Sequence, residues 1–207
     1  SAASDVYKRQ VVYGKVSQRH DMGKVYAFVA NGSEEVELLA VVDVLLRGGQ
    51  DVKLVSVTRS RDVVSAHQIK IQADLEFSEA DFSDADVLFL PGGMPGTRNL
   101  AAHRGLCDEL LKADRAGKRL AAICAGPSVL GGLGILEGRK ATCYPGFEGE
   151  LKGAEYTRQG VVTDGNVTTA RGLGYALDLG IELLALLTDR EHAAQIKESI
   201  QYDQIPM

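Results

Sequence analysis

Cys124 stands in the run Leu120-Ala121-Ala122-Ile123-Cys124-Ala125-Gly126-Pro127-Ser128, where a short apolar stretch meets a cysteine and small residues with a proline then open a helix. This order predicts a nucleophile elbow built on sulfur, in which a strand delivers the thiol to a sharp turn at the start of a helix. Orphan N–H groups and the positive end of the helix dipole favour thiolate over thiol there, making Cys124 the expected nucleophile. The alternative is a buried apolar cysteine closing a core strand. A carboxylate partner is sought among Glu34, Glu35 and Glu37, which follow Asn31-Gly32-Ser33. Glu34 and Glu35 belong to the first helical turn, where capping and the dipole account for both. Glu37 falls on the flank of Val41 and Val44, its i+4 and i+7 neighbours, while Asp43 and Arg47 mark the solvent face. Burial raises a carboxyl pKa, so Glu37 is the expected general acid/base near neutral pH; a glutamate that snorkels to the helix edge is the alternative. Gly92 and Gly93, after Leu90-Pro91, allow the backbone to approach a ligand closely. Their N–H groups, with that of Ala125, are expected to hold an oxyanion, although Pro-Gly-Gly alone reads equally as a turn.

These residues need strands to carry them, and the pattern supplies strands alternating with helices. Apolar runs predict strands over 25–30, 51–57, 86–90, 119–123, 140–143, 161–163 and 167–170. Helical patterns cover 33–47, 99–116, 127–133, 175–187 and 191–201, and a polar stretch through 68–73 reads as a hairpin. Such alternation predicts an α/β fold with a parallel sheet covered on both faces, a doubly wound sandwich. In that architecture ligands bind beyond the carboxyl ends of the strands, where Ser33, Gly93 and Cys124 all fall. No repeat or linker divides the chain from residue 22 to 207, which is expected to be one domain. Residues 1–21 show no clear period and precede Met22-Gly23-Lys24, a plausible native start, and Asp5 to Gln10 resembles a translated sequencing adapter. They are expected to be a non-native or disordered leader.

Composition narrows the function classes. At 207 residues, 45% hydrophobic and 25% charged, the chain has the make-up of a soluble globular protein. A net charge of -5 without a basic stripe argues against nucleic acid as a partner. No apolar run is long enough to cross a bilayer and no signal-peptide core is visible, so no membrane role is expected. Three cysteines, Cys107, Cys124 and Cys143, form neither a disulfide framework nor a zinc pattern. A reducing cytoplasm is the expected setting, with no cofactor and no metal. Cys107 reads as helix core, and Cys143 as core or edge packing with a resolving thiol as the alternative. His67, His103 and His192 read as surface or structural, and the glycine-rich stretches lack the full signatures of ATP or NAD sites.

Taken in order, Asn31-Gly32-Ser33-Glu34-Glu35-Val36-Glu37, Leu90-Pro91-Gly92-Gly93, Ala122-Ile123-Cys124-Ala125-Gly126-Pro127 and Ala170-Arg171-Gly172-Leu173-Gly174 resemble the signature of the ThiJ/PfpI superfamily, most nearly its Parkinsonism-associated deglycase branch. The resemblance runs from Lys24 to about Gln201. It implies a flavodoxin-like sandwich, a homodimer, a reactive Cys124 and Glu37 as its carboxylate partner. It also implies a cysteine readily oxidised to sulfinate, and cofactor-free conversion of glyoxals to hydroxy acids or repair of glycated proteins. Two positions depart from the superfamily. Ala125 stands where its peptidase-like members have histidine, which disfavours a peptidase or amidase. Tyr144 precedes Pro145 where a histidine is often found; it can donate a hydrogen bond to a substrate oxygen but cannot accept a proton at neutral pH. Leu173 and Tyr175 carry larger side chains than the proline and threonine often found in that loop, which is expected to reshape the pocket mouth. The leading expectation is a cysteine enzyme acting on glyoxal-type dicarbonyls or glycated side chains. The alternative is a redox-sensing, stress-protective protein. Leu38, Leu39, Val42 and Leu46 widen the apolar stripe of the first helix, in keeping with a homodimer.

Overall fold

The computed structural model of the chain describes residues 22–202; the leader expected over 1–21 lies outside them. Largely apolar runs form strands β1 (Lys24–Val29), β2 (Asp51–Ser56), β6 (Val87–Leu90) and β7 (Arg119–Ile123). Shorter strands are β3 (Asp62–Val64), β4 (Lys70–Gln72), β5 (Leu75–Glu76), β8 (Lys140–Ala141), β9 (Glu155–Tyr156), β10 (Val161–Asp164) and β11 (Val167–Ala170). The helices are α1 (Glu35–Arg47), α2 (Gly96–Ala102), α3 (Arg104–Arg115), α4 (Pro127–Gly132), α5 (Ala176–Leu187) and α6 (Arg190–Ser199). Seven strands make one sheet in the order β10-β11-β7-β6-β1-β2-β5. All its pairings are parallel except that of β10 with β11. The expected α/β, flavodoxin-like arrangement is therefore present.

Alternation along the strands divides the core into two layers. On β1, Val25, Ala27 and Val29 face α1, α5 and α6 through Leu38, Val41, Leu179, Leu183 and Ala193. Tyr26 and Phe28 face the other way, toward Leu100 of α2, Leu106 and Leu110 of α3, and Val129 and Leu130 of α4. Both faces of the strands are thus dry, which is why they read as continuous apolar runs rather than alternating ones. The chain steps from β1 out to β2 and later returns to the opposite flank of β1 with β6. This reversal opens a crevice between β1 and β6 at their carboxyl ends. Among the described residues no helix is long and apolar enough to cross a membrane.

The structure corrects the helix expected over 99–116, which is two helices. His103 interrupts it with an extended backbone (φ -81°, ψ 97°), and its Nδ1 accepts the Leu106 N–H at 3.0 Å. A side-chain cap thereby replaces the intrahelical bond that a continuous helix would have made. The strand expected over 140–143 shortens to Lys140–Ala141, pairing with β9 outside the main sheet. The polar stretch around 68–73 is the return strand of the β3–β4 hairpin, whose turn holds Gln68 at φ 66°. A left-handed conformation strains a residue with a Cβ, whereas glycine adopts it freely. Gln68→Gly is expected to raise stability by about 0.5 kcal/mol in urea unfolding, since the relief exceeds the added chain entropy. Lower stability for the variant would contradict this account of the turn.

Candidate active site

Three chain segments meet at the crevice. The end of β7 brings Cys124, whose N–H donates to Ala170 O and whose carbonyl accepts from Tyr144 N, both at 2.9 Å. Fixed at both peptide groups, Cys124 adopts φ 63°, the strained turn expected of a nucleophile elbow. The end of β6 brings Gly92 and Gly93, and the start of α1 brings Glu34 and Glu37. Glu34 N–H donates to Gly92 O at 3.0 Å, tying the helix start to the β6 loop. Gly93 has φ 87°, and a Cβ there would lie 2.4 Å from Glu34 N. At Gly92 a Cβ would lie 2.5 Å from Glu37 Oε2 and 2.6 Å from Cys124 Cβ. Only glycine allows the carboxyl and the cysteine to close over this backbone.

Glu37 is buried, 1% exposed, and does not snorkel. Gly92 N–H donates to its Oε2 at 3.0 Å, Leu173 N–H also donates to the carboxyl, and the carboxyl hydrogen-bonds the Cys124 thiol. Burial pushes Glu37 up to about 7, with the nearby Glu34 charge adding to the rise against the hydrogen bonds from Cys124, Gly92 and Leu173. Cys124 is half-buried, and the N–H groups of Ala125 and Gly93 point at its sulfur. Even so, burial pushes the thiol up to about 12, and the Glu37 carboxylate pushes it the same way. The thiolate expected at the elbow is therefore opposed by its surroundings while Glu37 is ionised. Desolvation and a neighbouring negative charge outweigh two backbone donors and a helix start only six residues long. The two groups are hydrogen-bonded to each other, so the proton of one depends on the charge of the other.

The other expected site residues divide. Gly93 and Ala125 present N–H groups to the reacting sulfur, but Gly92 does not, because its N–H is occupied by Glu37. Tyr144 is 51% exposed, its ring lies over Gly172, and its bond to the elbow comes from the backbone. Glu34 caps α1 as expected, its Oε2 accepting Glu37 N–H at 2.6 Å, whereas Glu35 pairs with His67 instead of capping. Cys143 is fully buried in the layer of α2, α3 and α4, while Cys124 packs against the opposite layer, so the resolving-thiol alternative gains no support. Cys107 is half-buried rather than core, its Sγ 3.3 Å from Ala101 O. His192 is structural, with Nε2 3.0 Å from Gly48 O. The contribution missing from the sequence reading is the Leu173 N–H. It leaves no side-chain signature, because any residue but proline after Gly172 supplies it.

Comparison with known proteins gives a match to the DJ-1/PfpI family over residues 23–186. The chain is 38% identical over 175 residues to protein DJ-1 homolog B of Arabidopsis thaliana, covering 84% of this chain and 40% of that protein. It therefore spans less than half the length of that relative. It is 33% identical over 150 residues to a deglycase of Pyrococcus horikoshii, covering 72% of this chain and 89% of the relative. The solved structure of oxidized Toxoplasma gondii DJ-1 superimposes with a TM-score of 0.85 at 31% identity, covering 88% of this chain and 100% of that one. Agreement in sequence and fold across nearly all the described residues establishes that the chain belongs to the DJ-1/PfpI family.

Proposed function

We propose that the chain is a cofactor-independent cysteine enzyme converting glyoxal and methylglyoxal to 2-hydroxy acids, with the same chemistry open to glycated protein side chains. The observation that carries this reading is the Glu37 carboxyl hydrogen-bonded to Cys124 and poised at about 7 by burial. A thiol held neutral needs a base in contact as it attacks, and Glu37 is that base. Sulfur bonds to the aldehyde carbon of methylglyoxal while its proton passes to Glu37. The N–H groups of Gly93 and Ala125 stabilise the resulting alkoxide, which then takes the proton from Glu37 to give a hemithioacetal. The regenerated carboxylate removes the proton from that carbon, forming an enediolate, and returns it to the adjacent carbon, while the hydroxyl proton passes from the first oxygen to the second. The first carbon is oxidised to a thioester and the second reduced to an alcohol, with no external electron acceptor. Water hydrolyses the thioester, releasing lactate and the free thiol.

Similarity to a protein described as a deglycase supports this reading. The exposed Val36, Leu39 and Leu46 along α1 support the homodimer that the family resemblance implies, and the three unbridged cysteines support a reducing compartment. Purified, fully reduced protein supplied with methylglyoxal, a chelator and no glutathione is expected to release many equivalents of lactate per chain. One equivalent or less from folded protein would overturn the proposal. A second reading rests on the same contact. A protonated Glu37 can donate to a Cys124 sulfinate, holding the sulfur at that oxidation level, and one structural relative is an oxidized DJ-1. Selective peroxide oxidation of Cys124 in protein without turnover would favour it.

A further inference from the structure

At the N-terminus of α1, beside the thiol site and sharing Glu34 with it, two carboxylates and an imidazole converge. Glu34 and Glu35 are 8% and 6% exposed, and their ion-pair partner among the described residues is His67, whose side chain is 67% exposed. His67 Nδ1 lies 2.8 Å from Glu35 Oε1 and 3.8 Å from Glu34 Oε1. One donor atom from each of the three residues falls within 4.8 Å of the others. Glu34 is oriented for this, because its Oε2 is held by the Glu37 N–H while Oε1 turns toward His67. Glu35 Oε2 is buried without a hydrogen-bond partner of its own, although the residue's own N–H and the Ser65 side chain approach the carboxyl and favour its charged form. Buried carboxylates are ordinarily compensated by a cation or by metal. The first helical turn offsets part of this charge through the Glu34 cap, which engages Oε2 and leaves Oε1 facing His67.

We propose that Glu34, Glu35 and His67 form a binding site for a zinc-class divalent cation that fastens the β3–β4 hairpin to the start of α1. One imidazole nitrogen with carboxylate oxygens suits zinc and its first-row neighbours better than calcium or magnesium, which prefer all-oxygen sets. The hairpin is already docked there, with Gly32 N–H donating to Val64 O and Ala66 N–H to Ser33 O, each at 2.8 Å. The cation therefore joins elements that already meet and needs only a small shift of an exposed side chain. The sequence shows no ligand spacing because His67 lies 32 positions from Glu35.

The test is calorimetric titration of the Cys124→Ser protein with Zn²⁺ alone, which removes the reactive thiol as a competing ligand. One equivalent is expected to bind, and His67→Ala and Glu35→Gln are each expected to weaken binding at least tenfold. Cobalt substituted for zinc is expected to give visible d–d bands without thiolate charge transfer. Unchanged affinity in the exposed-site variant His67→Ala, absence of binding, or a thiolate band marking Cys107 as the ligand would each overturn the proposal.

Discussion

Cys124→Ser is expected to lower kcat/KM for methylglyoxal by about 10³-fold or more while leaving the fold intact. Serine keeps the shape of the elbow and tolerates φ 63° as cysteine does. Its hydroxyl also finds the partners the thiol has now, Glu37 and the N–H groups of Ala125 and Gly93. The stability change is therefore expected within about 1 kcal/mol. Reactivity falls for an electronic reason. A carboxylate poised near 7 can relieve an attacking thiol of its proton, but an alcohol is far too weak an acid for that base. Cys107→Ser provides the comparison, because that thiol lies on α3, facing Ala101 O. Its variant is expected to retain wild-type turnover, which separates catalysis at the elbow from adventitious trapping of aldehyde by any thiol. Lactate formation by Cys124→Ser within tenfold of wild type would remove the nucleophile from the mechanism.

Much of this site was legible in the sequence because its chemistry sits on local patterns. A strand running into Cys124-Ala125-Gly126-Pro127 specifies a turn whatever surrounds it, and the structure supplies that turn. Glu37 was legible for a different reason: its i+4 and i+7 neighbours are core valines, so the helix must bury the carboxyl to bury them. The protonation state was not legible. Helix geometry and backbone donors argue for thiolate, but desolvation and the Glu37 charge are three-dimensional quantities, and they win. The Gly92 N–H has one donor to give, and only the folded crevice shows that Glu37 takes it. His103 shows the same limit at the level of the fold. Helical periodicity runs through it, yet a side-chain cap on Leu106 divides the helix. The Glu35–His67 pair is a product of the hairpin's docking, which strand periodicity locates but does not orient.

Glu37→Gln is expected to lower kcat by about 10² to 10⁴-fold, the range for loss of a positioned general base, while leaving the nucleophile in place. Wild-type kcat should rise with pH through about 7 as the carboxylate forms, and the glutamine variant should lose that limb. Stability provides an independent reading of the same group. Its folded pKa, about 7, lies above the ordinary glutamate value of 4.5, so the native state binds the proton more tightly than the unfolded chain does. The stabilisation from this proton is fully present below about pH 4.5 and is lost as pH rises through 7. At 1.36 kcal/mol per pH unit, the full window corresponds to about 3 kcal/mol. Glutamine does not titrate, although its amide meets the Leu173 N–H less well than a carboxyl oxygen does, which adds a cost independent of pH. The informative quantity is therefore the change in the stability difference with pH. From pH 4 to pH 8 the balance is expected to move toward the glutamine variant by about 3 kcal/mol in matched denaturant titrations. Parallel curves would mean that Glu37 ionises at an ordinary pKa, and retained turnover would remove it as the proton carrier. Both results together would leave Cys124 without the base that a neutral thiol requires.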